Sequence, residues 1–280
     1  MERFALASTL RSLFPTGAPP ASERPVPDTY LGVWQRRLLE TPQAFDAESE
    51  VYWLQTPHWH ADLRIPAGRP DFSGTAGLDV CSDDQLAWLA TQQGFCGITH
   101  VEGHVCTWER QADFQPNNDR RDIGRMRFVD DQIIETGVED TYREIWTRLP
   151  GGCGPGVALR LAAADGRLPA RPTWLLVAGD YFVFVRARAR PTPVGTSLAS
   201  LIERLRPDRA ALIDWLDFEL SFGHRVGDTP WRIERSTLPF REGQCVTRSG
   251  AIQRRRPALA IEGDNAQRWH ILDWSPEALL

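Results

Sequence analysis

Between Tyr30 and Arg148 the chain is cut into short apolar or alternating runs, separated by Gly, Pro, Asp and Asn. That punctuation constrains the fold most, because runs of this length bounded by turn residues form strands rather than helices. It predicts strands over Tyr30–Glu40, Val51–Gln55, Trp59–Ile65, Phe95–Thr99, His104–Gln111, Gly124–Phe128, Ile133–Gly137 and Thr141–Arg148. Eight strands at such spacing suit a closed antiparallel barrel. One helix interrupts them: Ser82-Asp83-Asp84-Gln85 is a capping box, Leu86, Leu89 and Ala90 form an apolar stripe, and Gly94 ends it.

Pro150-Gly151-Gly152-Cys153-Gly154-Pro155-Gly156 breaks the pattern and predicts a domain boundary. The second half repeats the theme, with strands expected at Val157–Ala163, Thr173–Ala178, Tyr181–Ala189, Phe218–Val226, Trp231–Ser236 and Trp269–Trp274. Helices are expected over Thr196–Arg206 and Pro207–Leu216, with Thr196 or Ser197 as a cap and Pro207 at a start position. The expected organisation is an N-terminal helix (Met1–Phe14) and proline-rich linker over 1–29, a first barrel over 30–150 and a second over 157–280.

Length and composition bound the rest. The 280 residues are 42% hydrophobic and 25% charged, ordinary for a chain with a sizeable core. A net charge of −5 argues against nucleic-acid binding. No stretch is apolar enough to span a bilayer, and Glu2, Arg3 and Arg11 interrupt Met1–Phe14, so a cytoplasmic location is expected. Cys81, Cys96, Cys106, Cys153 and Cys245 are odd in number and form no CxxC pair, as expected of free, buried thiols. The chain has no lysine; all 32 of its basic residues are arginine. Schiff-base chemistry and the phosphate-loop lysine are thereby excluded, whereas arginine favours bidentate carboxylate binding and stacking on aromatic rings.

Three strands carry Trp-x-Arg: Trp34 with Arg36, Trp108 with Arg110, and Trp146 with Arg148. Residues two apart on a strand share a face, so tryptophans facing the interior bring their arginines with them. Glu144 shares the parity of Trp146 and Arg148 and joins the candidate ligand-binding set, which also includes Gln55. The bland alternative is that each arginine merely covers an indole at the barrel end.

His58, His60, Asp62 and Arg64 alternate with Trp59, Ala61, Leu63 and Ile65. If the apolar face packs against another element, the polar row faces a cavity; otherwise it is a wet surface strand. In the first case His60, Asp62 and Arg64 are catalytic candidates, with Asp62 orienting His60 for proton transfer. His100, Glu102, His104 and Cys106 also alternate, but Gly103 places a turn among them and no fourth ligand has diagnostic spacing; neither a metal nor a cofactor is expected.

Gly32-Val33-Trp34 resembles the Gly-x-Trp signature that opens lipocalin barrels. The resemblance implies that Trp34 closes the barrel base and that a late-strand arginine, here Arg148, packs over it. Further pieces are similar in order and spacing to a fungal family of cytosolic casein-kinase-interacting proteins built from paired lipocalin-like barrels. They are Gly94-Phe95-Cys96-Gly97, Gly103-His104-Val105-Cys106-Thr107-Trp108, Tyr142-Arg143-Glu144-Ile145-Trp146, Phe218–Val226 and Trp269-His270-Ile271-Leu272. This likeness implies a double barrel and admits a protein partner. The leading expectation is a mainly β protein that binds a small amphipathic or anionic hydrophobic molecule in a Trp/Arg-lined cavity, without nucleic acid or membrane. The alternative is a metal-independent isomerase, lyase or hydrolase using His60.

Overall fold

The computed structural model describes residues 24–117, 120–162, 169–225, 230–246, 252–255, 258–261 and 267–275, with only the backbone for 252–255, 258–261 and 267–268. The helix expected over Met1–Phe14 lies outside them.

The first sheet contains β1 (Gly32–Glu40), β2 (Phe45–Asp46), β3 (Glu50–Gln55), β4 (Trp59–Ile65), β5 (Gln93–Glu102), β6 (Val105–Asp113), β7 (Asp122–Val129), β8 (Gln132–Gly137) and β9 (Arg143–Arg148). Each strand from β3 onward pairs antiparallel with the next, and β1 pairs with both β3 and β9. Eight strands therefore close into an antiparallel barrel, with the two-residue β2 added outside the ring. Closure leaves those eight strands no unpaired edge. The helix α1 (Asp83–Leu89) crosses between β4 and β5 and begins with the capping box of Ser82 and Gln85.

The second sheet follows the order β14-β13-β12-β11-β10-β17-β16-β15. Its strands are β10 (Gly156–Ala162), β11 (Thr173–Ala178), β12 (Tyr181–Arg186), β13 (Glu219–His224), β14 (Arg232–Ser236), β15 (Ile252–Arg255), β16 (Ala258–Ile261) and β17 (Gln267–Trp274). The expected second barrel is not shown: among the described residues β14 and β15 do not pair. The outer edge of β14 is taken by residues 243–246 instead, through Ile233 N–H to Gln244 O and Val246 N–H to Trp231 O. Two helices, α2 (Leu198–Leu205) and α3 (Arg209–Leu216), bridge β12 and β13. Ser197 caps α2, while Asp208, rather than Pro207, opens α3 by accepting from Ala211 N–H.

Three clusters hold these layers together. Trp34, Trp53, Trp108, Trp146, Met126 and Ile133 fill part of the barrel. Val157, Leu159, Leu175, Phe182, Trp231 and Trp269 pack on one face of the second sheet. The largest cluster joins the two sheets: Trp59, Ala61, Leu63 and Ile65 of β4 meet Trp174, Leu176, Leu220 and Phe222 of the second. Tyr52 stacks on Phe222 with ring centres 4.3 Å apart, and Arg69 forms a bidentate pair with Glu242 at 2.9 and 3.1 Å. Among the described residues no helix is long and apolar enough to cross a membrane.

Candidate functional site

The second sheet decides which way β4 faces. Because Trp59, Ala61, Leu63 and Ile65 are buried between the sheets, strand alternation turns His60, Asp62 and Arg64 into the barrel. His58, at the strand's edge, points to the second sheet, where its Nδ1 lies 3.0 Å from Asp273 Oδ1 and its N–H donates to Oδ2.

One end of the barrel is sealed. Gly32 has φ +111°, and a Cβ there would sit 2.7 Å from Gly152 O and 3.0 Å from Arg148 Nη1, so only glycine fits. The chain then places Trp34 at the base, its Nε1–H bonded to Tyr30 O at 2.8 Å. The Arg148 guanidinium lies 3.9 Å above the Trp34 ring and donates to the carbonyls of Thr29 and Leu31. Phe128 closes against Trp34 and Tyr30 edge-on.

The other end is charged. Arg36, buried, bonds Glu144 at 2.8 Å and Asp46 at 2.7 Å. Arg64 forms a fork with Asp62 at 2.8 and 3.3 Å and lies 3.7 Å from Glu144. Glu135 faces Glu144 across the β8–β9 pair and accepts from Tyr142 Oη at 2.6 Å and Trp146 Nε1 at 3.0 Å. Burial first, and the neighbouring Glu144 second, push the Glu135 carboxyl well above the usual carboxylate range.

The three Trp-x-Arg pairs do not converge. Trp34, Trp108 and Trp146 all face inward, but β1, β4 and β6 run toward the charged end while β9 runs toward the base. The arginine two residues on therefore steps mouthward in Arg36 and Arg110 and baseward in Arg148. Arg110 sits at the rim with a third of its side chain exposed, 3.6 Å over Phe95 and paired with Asp113 and Asp122 at 2.6 Å each. Gln55 lies deep, near the base, and accepts from Trp53 Nε1 at 3.2 Å.

Asp62 does not orient His60; the carboxylate is engaged by Arg64, one step farther along the row. His60 is instead fixed by neutral groups. The Gln55 amide nitrogen donates to Thr56 O, so its oxygen faces Thr99, whose hydroxyl donates to it at 2.8 Å. Thr99 can then only accept from His60 Nδ1, 3.0 Å away. That leaves His60 Nε2 as a buried lone pair without a partner. Burial, with Arg110 and His100 adding to it, holds His60 well below the ordinary histidine range and therefore neutral.

Inside the ring a void of about 10 Å³ borders Trp53, Trp108 and Trp146, room for roughly one water. Arg64, Asp122 and Glu135 line both this void and a cavity of about 520 Å³ at the mouth, which Leu39, Pro42, Tyr142 and Glu144 also border. His60 lines neither. His100 pairs with Glu109 at 3.1 Å, and among the described residues no three His, Cys, Asp or Glu side chains cluster to hold a metal. Of the five thiols Cys81, Cys96 and Cys106 are buried, whereas Cys153 and Cys245 are exposed.

Sequence reasoning missed Glu135, Tyr142, Asp122 and Thr99. Glu135 shares the parity of Ile133, and an isolated carboxylate on the inward side of an apolar strand was the available signal. Asp122 and Tyr142 sit at strand ends, where parity is unreadable.

No protein-family model matches this chain, and no curated protein matches its sequence. Among solved structures, a lipocalin-like protein from Bacteroides uniformis is 9% identical, covering 43% of this chain and 99% of its own with a TM-score of 0.28. An uncharacterized protein from Saccharomyces cerevisiae is also 9% identical and covers 87% of this chain and 98% of its own, with a TM-score of 0.53. At that identity the likeness is one of fold, and it runs through both sheets.

Proposed function

We propose that the first barrel binds a small amphipathic molecule at its mouth, with the apolar part directed toward the tryptophan layer and the polar part among the carboxylates. The carrying observation is the cavity of about 520 Å³, within the range of small-molecule sites, which shares three residues with the void above Trp53, Trp108 and Trp146. Charge supports the polar half of the reading. Asp122, Glu135, Asp140 and Glu144 line the cavity against Arg64 and Arg120, and those arginines already pair with Asp62 and Asp140. An anionic head group would meet spent arginines, whereas an amine or hydroxyl donor would meet carboxylate oxygens. We therefore favour an amphipathic cation over an acid.

Calorimetry with phenethylamine and the neutral phenethyl alcohol tests the reading. The amine should bind more tightly, and Glu144→Gln should erase most of the difference. Equal affinities, or an unchanged amine affinity in the variant, would overturn it. The catalytic alternative gains nothing from this geometry, because His60 lies away from the cavity and Asp62 is held by Arg64.

A further inference from the structure

The mouth is not the largest depression on the protein. A groove of about 900 Å³ starts at the barrel rim beside Arg110 and Asp122 and runs between the sheets to Trp174, Arg188 and Phe218. Its charges are unevenly matched. Arg110 holds Asp113 and Asp122, Arg120 holds Asp140, Arg121 holds Glu139, and His100 holds Glu109. Arg188 lines the same groove and has no carboxylate within ion-pair distance among the described residues.

Arg188 is nonetheless built in. Its Nε donates to Trp215 O at 3.0 Å, Nη1 to Asp113 O at 3.0 Å and Nη2 to Phe114 O at 2.6 Å. The guanidinium lies 5.6 Å from the Phe114 ring centre and 5.1 Å from that of Phe218. Three of its five N–H groups are thus committed to neutral carbonyls, leaving two donors and no carboxylate in direct contact, since Asp113 and Asp217 act on the charge only from beyond ion-pair distance. Trp174, 3% exposed and also lining the groove, has an indole N–H with no acceptor. Leaving a buried N–H donor without an acceptor is unfavourable, so the Trp174 indole marks the site as incomplete beside the half-buried Arg188.

We propose that the inter-sheet groove is a second binding site, for a small aromatic carboxylate that gives Arg188 a direct ion-pair partner and lies against Trp174 and Phe218. Planar carboxylates match the arginine fork, and aromatic rings match the walls. Burial lowers the Arg188 guanidinium to about 10, and the more distant Asp113 and Asp217 offset this only in part. The groove shares Arg120 and Asp122 with the barrel mouth, but Arg188 and Trp174 line the groove and not the mouth.

The test is calorimetry on the full chain with 2-naphthoate and the uncharged 2-naphthol. The naphthoate should bind about tenfold or more tightly than the naphthol, the range of one or two charge-assisted hydrogen bonds. Arg188→Gln should remove that preference, and Arg188→Lys should keep part of it. Ala189 is exposed and lines the groove, so Ala189→Trp should block both probes without touching Arg188. Glu135→Gln, at the barrel mouth, should leave naphthoate binding unchanged. Equal affinities for the two probes in the wild type, or full naphthoate binding in Ala189→Trp, would overturn the proposal. Those two measurements decide it even where Arg188→Gln does not fold.

Discussion

The base and the mouth of the first barrel are made by the same strands yet use their inward side chains differently. At the base, Trp34 and Tyr30 pack with Phe128 under the Arg148 guanidinium, and among the described residues that arginine bonds only backbone carbonyls. At the mouth, Arg36, Asp62, Arg64, Glu135 and Glu144 form a network in which carboxylates face each other as well as arginines. An arginine facing neutral oxygens and an indole acts as a lid; an arginine held by carboxylates fixes a polar cavity. The difference separates what stabilises the barrel from what a ligand would meet.

The sharpest way to break the comparison is to remove the base. Trp34 is fully buried, so Trp34→Ala should cost about 3–5 kcal/mol of folding stability in urea denaturation, the range for truncating a buried aromatic. A loss under about 1 kcal/mol would mean that the seal is not structural. At the mouth, Arg36→Leu leaves Glu144 buried with the more distant Arg64, and Asp46 with the backbone N–H groups of Glu48 and Ser49. Stability should fall by about 3 kcal/mol, the lower part of the range for breaking a buried ion pair. Because the network also shapes the cavity, this variant should weaken phenethylamine, whereas Trp34→Ala should spare it wherever the protein remains folded.

Arg148 tests the lid directly. Arg148→Leu removes the cation above Trp34 and frees the carbonyls of Leu31 and Thr29, for an expected loss of about 2 kcal/mol by thermal or urea unfolding. Amine binding should not change. A variant that loses binding but not stability would reverse the roles assigned to the two ends.

How much of this was legible in the sequence differs between the same two ends. The eight strands of the ring were readable because alternation and turn residues agree there, the two-residue β2 was not, and in the second sheet Thr173–Ala178 was recovered to the residue. Gly32, Trp34 and Arg148 were readable as a set only through the resemblance to the lipocalin Gly-x-Trp signature, and the structure adds why glycine is needed there, the close approach to Gly152 O. The direction of the row from His60 to Arg64 stayed open, since an alternating strand looks the same whether its apolar face meets a core or a second sheet. Pairings at the mouth were not readable at all: Asp62 could have met His60 or Arg64, and only side-chain geometry chooses. β15 and β16 were missed because Gln253-Arg254-Arg255 looks like a solvated charge run and Pro257 follows it.

The smallest effects, in any one pH unit, come from the two buried titrating groups, which should tilt stability in opposite senses. His60 sits deep and its folded proton affinity is depressed, so between its folded value and the ordinary 6.5 the unfolded chain holds more protons. Its contribution is present above pH 6.5 and is lost as the pH falls toward the folded value. Glu135, at the mouth, has a raised folded value, so above the ordinary 4.5 the folded state holds the extra proton. Its contribution is present below pH 4.5 and is lost as the pH rises toward the raised folded value. Each slope is limited to about 1.4 kcal/mol per pH unit, the value for one proton. Urea midpoints measured at a series of pH values should show the acid-side loss shrink in His60→Gln and the neutral-side loss shrink in Glu135→Gln. Amine binding should raise the second slope's weight: a cation beside Glu135 favours its ionised form, so phenethylamine should bind more tightly as the pH rises and lose that dependence in Glu135→Gln. A pH-independent affinity in the wild type would detach Glu135 from the ligand and leave it a structural carboxyl.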